Sequence, residues 1–455
     1  ASYHYGGRSV ISPSRTYLSA MTQPEPIEDP ESPGFAEGAS TRWLDVLGPG
    51  LITGASDDDP SGIATYSQAG AQFGYSLTWL MLFSWPLMAA AQMISARIGR
   101  VTGLGLAGVL RRNYPRALLR VTICLLLLAN VINLGADLGA MADAVTLIAP
   151  APRWLLTLGF GLFCIWLQIF VDYARYVRVL KWLTLSLFAY FATVMVVEVD
   201  WRRLALDLVM PAIRLDKDYL TVIVAVLGTT ISPYLFFWQA SEEAEDIRHF
   251  PLRADLLDAP EQGPVALERI ELDTIFGMGF SNLVALAIMV TTAATLYAAG
   301  VSNVETSAQA AEALRPLAGS FAFTLFTLGI VGTGLLAVPV LGGSAAYALG
   351  EAFDWTIGLS RKPGEAKAFY GAVAMATLVG MALAFAPISP MSALFWSAVL
   401  NGVIAVPVMV VMMVMAADSA VMGAFAVRGP LRIVGWISTA VMAAASVGMF
   451  ALMVV

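Results

Sequence analysis

Residues 48–75 read GPGLITGASDDDPSGIATYSQAGAQFGY, and this stretch decides how the chain folds. Asp57, Asp58 and Asp59 are followed by Pro60, Ser61 and Gly62, all inside a hydrophobic run spanning residues 44–82. Carboxylates within a membrane segment are costly to bury and mark function. Pro60 lacks a backbone donor and disfavours a helical Asp59, while Gly54 and Gly62 flank the interruption. A helix broken there frees carbonyl groups, which a membrane tolerates only where they line a protein cavity. Acidic side chains and free carbonyls at mid-membrane depth suit a hard cation. In an extended stretch Asp57 and Asp59 point one way and Asp58 the other, so Asp59, with Asp57, is expected to face the cation. The competing reading is that all three cap the broken helix or sit in a watery vestibule.

The rest of the chain fits a membrane setting. Of 455 residues, 58% are hydrophobic and 13% charged, against about 25% charged in soluble domains, and the mean hydropathy is +0.73. Eleven apolar stretches are long enough to cross a bilayer, near 45–70, 73–96, 118–147, 154–171, 177–197, 219–241, 273–299, 318–350, 368–387, 391–416 and 432–455. Their lengths predict helices, not the short alternating strands of a barrel. The net charge of −7 matters less than placement. With the N-terminus in the cytoplasm, the outer segments carry only Arg153, Arg202, Arg203, Arg214, Lys217 and Arg315 of the 26 Lys and Arg residues. The inner ones carry the rest, including Arg97, Arg100, Arg111, Arg112, Arg116, Arg120, Arg175, Arg178 and Lys181. This asymmetry orients the chain, and an odd number of spans puts the C-terminus outside.

Residues 1–44 are polar and proline-rich and read as a disordered cytoplasmic segment, with Met21 a natural start and 1–20 an upstream extension. Cys124 and Cys164 lie in apolar runs and read as buried thiols with no disulfide framework. His4 and His249 both fall outside the spans, so neither is available at membrane depth.

The sixth span, residues 226–247, reads VLGTTISPYLFFWQASEEAEDI and is interrupted at Ser232 and Pro233. Interruptions in spans one and six each open a block of five, 45–197 and 219–416, with 432–455 appended. Paired broken spans in two halves point to an inverted-repeat transporter with its site at the midplane. An odd number of spans per half requires the second to be inverted, the LeuT-type arrangement. The expected fold is therefore an all-α polytopic membrane protein of five plus five helices and an eleventh, with helices one and six broken, in a transporter domain covering 45–455.

Thr229, Thr230 and Ser232 offer hydroxyls and carbonyls at the second break. A proline kink satisfied by Ser and Thr is the plainer reading of that signal taken alone. Glu242, Glu243, Glu245 and Asp246 read as a solvated helix end, and 242–272 as a solvated cytoplasmic linker, with cation attraction or regulation the sharper alternative. In span three, Asn130, Asn133 and Asp137 share one helical face. Asp137 either conducts ions or protons or pairs with a neighbouring helix. Asp143 lies nearer the outer end and is expected to see water. Asn401 and Gly402 in span ten either loosen the helix beside the site or serve packing.

These residues resemble the Nramp family (natural resistance-associated macrophage proteins) of divalent metal transporters, from about residue 47 to 455. The family's first-helix Asp-Pro-Gly-Asn aligns with Asp59, Pro60, Ser61 and Gly62. Its sixth-helix Ala-Thr-Val-Met-Pro-His-Asn aligns with Thr229, Thr230, Ile231, Ser232, Pro233, Tyr234 and Leu235. The resemblance implies eleven or twelve helices, a LeuT-like fold and cation transport by alternating access. The metal-binding Asp is kept as Asp59, whereas the Asn becomes Gly62, the Met becomes Ser232, and the carbonyl-donating Ala becomes Thr229. Loss of the thioether removes the soft ligand that favours transition metals. A wider, all-oxygen pocket suits Mg²⁺, which gives up its waters reluctantly, as in the family's magnesium transporter branch. The proton path departs as well. Tyr234 replaces a His, Asn130 and Ala140 replace acidic residues, Asp137 matches one, and no arginine lies between residues 368 and 387.

The expected function is import of Mg²⁺, and of Mn²⁺ to some degree, without tight proton coupling. Asp59, Gly62, Thr229, Ser232 and Asp57 would form the cation site, with Asp58, Asp137, Asn133, Tyr234 and Asn401 along the pathway. A proton-coupled Mn²⁺ or Fe²⁺ importer is the nearest alternative, followed by a sodium-coupled small-solute carrier and a non-transporting cation sensor. No G-x-x-x-x-G-K loop, nucleophile–base pair or redox motif suggests an enzyme. No cofactor beyond the transported cation and no nucleic-acid partner is expected. The lipid bilayer is the expected surrounding, in a bacterial inner membrane.

Overall fold

The computed structural model describes residues 53–54, 57–171, 184–250 and 252–454. The N-terminal segment, the start of span one, Arg175, Arg178, Lys181 and the first third of span five lie outside the described residues. Those described form helices, with no strand among them. In chain order the α-helices are α1 (Pro60–Phe73), α2 (Trp79–Thr102), α3 (Leu106–Asn113), α4 (Arg116–Thr146), α5 (Arg153–Phe170), α6 (Phe188–Val196), α7 (Trp201–Val209), α8 (Lys217–Thr230) and α9 (Pro233–His249). They continue with α10 (Gly263–Thr292), α11 (Ser307–Glu312), α12 (Arg315–Ala318), α13 (Ala322–Phe353), α14 (Lys367–Leu383), α15 (Pro390–Ala417), α16 (Ser419–Met422) and α17 (Gly429–Val454).

Both expected breaks are present. Thr53, Gly54 and Asp57 are helical. The chain then turns extended at Asp59 (φ −67°, ψ 171°), and α1 starts with Pro60, whose missing donor costs nothing at the first helical position. At the second break α8 ends at Thr230, Ile231 leaves the helical region (φ −124°, ψ 64°), and α9 restarts on Pro233.

Eight helical segments among the described residues are long and apolar enough to cross a membrane, α8 and α9 counting as one. The expected span nine is α14, at 17 residues shorter than the rest. Burial sorts the helices into layers. The most apolar window of α8–α9 is 100% buried, whereas that of α5 is 22% buried. The broken sixth span is thus the centre of the molecule, and α5 faces outward with Trp154, Trp166 and Phe170 exposed. Around the centre, α8 packs on α15, α1 and α17, α9 packs on α2 and α13, and α4 packs on α13, α14 and α15.

Small residues permit the tightest of these crossings. Gly228 of α8 lies directly on the backbone of Ala398 and Gly402, and a Cβ added to Gly402 would sit 2.5 Å from the Val224 carbonyl. Asn401 and Gly402 therefore do not loosen the helix. α15 runs unbroken through them, and Gly402 is a packing contact.

Two other expectations need correction. Residues 242–272 are not a solvated linker: α9 continues to His249, and α10 begins at Gly263. Glu243 and Glu245 are buried, not solvated. Arg269 of α10 reaches Glu243 at 2.5 Å, while Glu245 accepts from the Ser360 amide at 2.7 Å, the Leu359 amide at 3.2 Å and the Tyr347 hydroxyl. Partners distant in sequence make this acidic helix end an interior one. The expected pair of buried thiols is half right, since Cys164 is buried but Cys124 is exposed. An apolar run signals avoidance of water without telling protein interior from membrane.

Candidate metal site

Asp59 sits where the two broken spans and α4 meet. Its Oδ1 accepts from the Gly62 amide at 2.8 Å and the Ser61 hydroxyl at 2.5 Å, which caps the N-terminus of α1. Its Oδ2 accepts from Asn133 Nδ2 of α4 at 2.9 Å and from the Tyr234 hydroxyl of α9 at 3.3 Å. The capping alternative therefore describes Oδ1, while Oδ2 ties three helices together. Asn133 is oriented in turn. Ser397 Oγ of α15 lies 2.8 Å from Asn133 Oδ1 and 2.7 Å from the Leu394 carbonyl, sharing its one proton between them. Only this amide orientation lets Asn133 accept from Ser397 and donate to Asp59 at once.

The aspartates do not alternate as an extended chain requires. Asp57 Oδ2 lies 2.7 Å and Asp58 Oδ1 3.2 Å from the same donor, Ser281 Oγ of α10. The physical reason is that Asp57 still belongs to a helical turn and Asp58 to a bend, so the two-residue period never applies. Asp59 alone turns toward Asn133 and Tyr234. Among the described residues no three His, Cys, Asp or Glu side chains converge on one point.

Gly62 faces the second break. A Cβ there would lie 3.2 Å from Thr229 Oγ1, 3.2 Å from the Tyr66 ring and 3.4 Å from the Asp57 carbonyl. The room a glycine leaves is thus bordered by Tyr66. Ser232 Oγ donates back to α8, 2.8 Å from the Gly228 carbonyl and 2.9 Å from that of Thr229. Its hydroxyl oxygen and the second lone pair of the Thr229 carbonyl remain as acceptors. Asp57, Asp58, Asp59, Ser61, Thr229 and Ser232 are each no more than 1% exposed, so the site is closed to solvent.

The residues expected along a pathway separate into two groups. Asn133 and Tyr234 touch Asp59. Asp137, one turn beyond Asn133, is buried with neither carboxylate oxygen hydrogen-bonded, and Asn401 is buried with its whole amide unbonded. Asn130 follows the plainer reading, donating to the Leu341 carbonyl at 2.9 Å and to Ser344 Oγ at 2.7 Å of α13. Asp143 is half-buried and accepts from Ser307 Oγ at 2.6 Å. Met141 Sδ and Pro60 Cγ both flank Gly334, 2.5 Å and 3.3 Å from where a Cβ on that glycine would lie.

Sequence reasoning missed Ser61, Ser281 and Ser397. Ser397 stands one turn before Asn401 in an apolar helix, a detectable but weak signal. Ser281 has no local mark at all.

The family model for natural resistance-associated macrophage protein-like proteins matches residues 50–452. The chain belongs to the Nramp family. A divalent metal cation transporter MntH from Acidiphilium cryptum (strain JF-5) is 28% identical over 401 residues, covering 85% of this chain and 86% of that protein. MntH from Deinococcus radiodurans is 27% identical over 406 residues, covering 87% of each. Among solved structures, the Eremococcus coleocola manganese transporter superposes with a TM-score of 0.69 at 17% identity, covering 90% of this Nramp chain and 87% of its own. MhsT in complex with L-phenylalanine gives 0.55 at 12% identity, and the nucleobase-cation-symport transporter Mhp1 gives 0.53 at 13%. These neighbours share the LeuT-type fold expected from the paired breaks. At such identities they speak for the fold alone.

Proposed function

We propose that this Nramp protein carries divalent metal cations across a membrane by alternating access around Asp59, with Mg²⁺ favoured and Mn²⁺ admitted. The observation that carries the proposal is the position of Asp59. One carboxylate caps α1, bonds the first turn of α9 and bonds α4, so a cation drawn to it acts on both broken spans at once. Asp59 supplies the charge. The Thr229 carbonyl, Ser232 and the backbone around Gly62 supply oxygens, partly through waters kept by the ion. Because the site is closed to solvent, loading requires the packing around it to open.

Two charges crossing 100 mV gain roughly 4–5 kcal/mol, about a thousandfold in gradient. Entry into a negative interior therefore needs no proton. The proposed orientation, with the N-terminus inside and the C-terminus outside, follows the lysine and arginine asymmetry.

The decisive experiment is uptake into proteoliposomes with a pH dye in the lumen. Mg²⁺ entry without acidification, abolished in Asp59→Ala, is the expected result. Absence of Mg²⁺ entry in the wild type, or full entry in the variant, rejects the site. A second reading, proton-coupled Mn²⁺ import, draws on the Met141 sulfur, which flanks Gly334 as Pro60 does, and on the unbonded buried carboxylate of Asp137. Under that reading Cd²⁺ competes strongly and the lumen acidifies during uptake.

A further inference from the structure

An apolar groove of about 580 Å³ opens between α4, α14, α15 and α17. Trp396 and Phe450 line it and are 53% and 50% exposed. At one end stands Arg153, the first residue of α5, which is half-buried and makes no ion pair among the described residues. Its guanidinium folds back over Gly139 into the groove, 3.4 Å from where a Cβ on that glycine would lie. Ser392 lines the same groove, its oxygen accepting from Ser389 Oγ at 2.8 Å and its own proton left to donate.

We propose that this groove binds a phospholipid with an anionic head group, one acyl chain along the apolar wall and the phosphate held by Arg153 and Ser392. Three observations fit that occupant. The volume is that of a ligand pocket and its wall is apolar. Among the described residues the arginine has no carboxylate to neutralise it, a costly state at a membrane boundary that a lipid phosphate relieves, as in other basic pockets between membrane helices. The positive end of α5 adds to the same charge. The whole chain carries −7, so a preference for anionic lipid must come from a local site, not from overall attraction. A zwitterionic lipid brings a second positive group beside Arg153 and is disfavoured.

Ser397 lies in the groove wall and also bonds Asn133, the amide that donates to Asp59. A bound acyl chain thus presses on the outer end of a three-residue chain ending at the cation ligand. This consequence, unlike the binding itself, rests on the transport proposal.

The test is native mass spectrometry of the full-length protein titrated with phosphatidylglycerol and phosphatidylcholine of identical acyl chains. The wild type should retain phosphatidylglycerol about fivefold more strongly, the effect of one cation beside a lipid of net negative charge. Arg153→Gln should erase the preference, Arg153→Lys should keep it, and Gly139→Leu should weaken retention of both lipids by filling the groove. Equal retention of the two lipids by the wild type, a preference that survives Arg153→Gln, or undiminished retention in Gly139→Leu would overturn the proposal. Cation uptake by the same preparations is scored separately. Its absence in every vesicle rejects the transport reading and leaves the lipid result standing.

Discussion

Asp59 is held at both oxygens, and the way it is held gives each neighbour a separate consequence. Asn133 is the donor most open to test, because its orientation depends on Ser397. Ser397→Ala leaves Asn133 free to rotate its amide and present oxygen to a carboxylate. A hydrogen bond of this kind contributes about 1 kcal/mol, so the expected outcome is a rise of about fivefold in KM for the cation with kcat little changed. Initial rates of uptake across a concentration series measure both. A fall in kcat at constant KM would show that Ser397 acts on the conformational step instead. The place of Asp59 at the break was legible from an aspartate followed by proline within an apolar run. The roles of Ser281 and Ser397 were not, because a single hydroxyl in a membrane helix looks the same whether it bonds its own backbone or a carboxylate across the bundle.

At the level of elements, the molecule depends on what meets the far half of the broken sixth span. The acidic end of α9 is buried among α10, α13 and the 357–360 turn, and Arg269 is the cation against Glu243. Removing one partner of a buried ion pair leaves the other charge in a poor solvent, at a cost of about 3–5 kcal/mol, whereas replacing both with apolar residues is often neutral. Arg269→Ala should therefore lower the apparent unfolding temperature markedly, and Arg269→Met with Glu243→Leu should recover most of the loss. Fluorescence-detected size-exclusion after heating compares them. Equal destabilisation by the single and double variants would indicate that the acidic end needs the pair itself. The carboxylates are spaced along α9 like those of a solvated helix, so composition alone points the wrong way. Arg269 lies 26 residues further on, in another helix.

For the whole molecule, the central prediction concerns driving force. An inside-negative potential set by a potassium gradient should speed Mg²⁺ uptake several-fold, while an imposed pH gradient without a potential should leave it unchanged. Vesicles with a cation-sensitive dye and valinomycin test both arms. Acceleration by the pH gradient would favour proton coupling through Asp137. The layered arrangement makes this a property of the assembly. The most apolar window of α8–α9 is fully buried, whereas those of α5 and α17 are mostly exposed, so the proposed path around Asp59 runs through the enclosed centre.

Hydropathy, two proline-marked interruptions and their spacing were enough to establish an all-helical membrane protein with paired broken spans. Such signals are local, because a missing backbone donor or a twenty-residue apolar run acts wherever the chain goes. Which oxygen of Asp59 faces which helix, why Asp57 and Asp58 turn to Ser281, and how the acidic tail of α9 comes to be interior were settled only by tertiary packing. Each depends on a partner that approaches from a distant segment, and no property of the local sequence encodes the distance or direction of that approach.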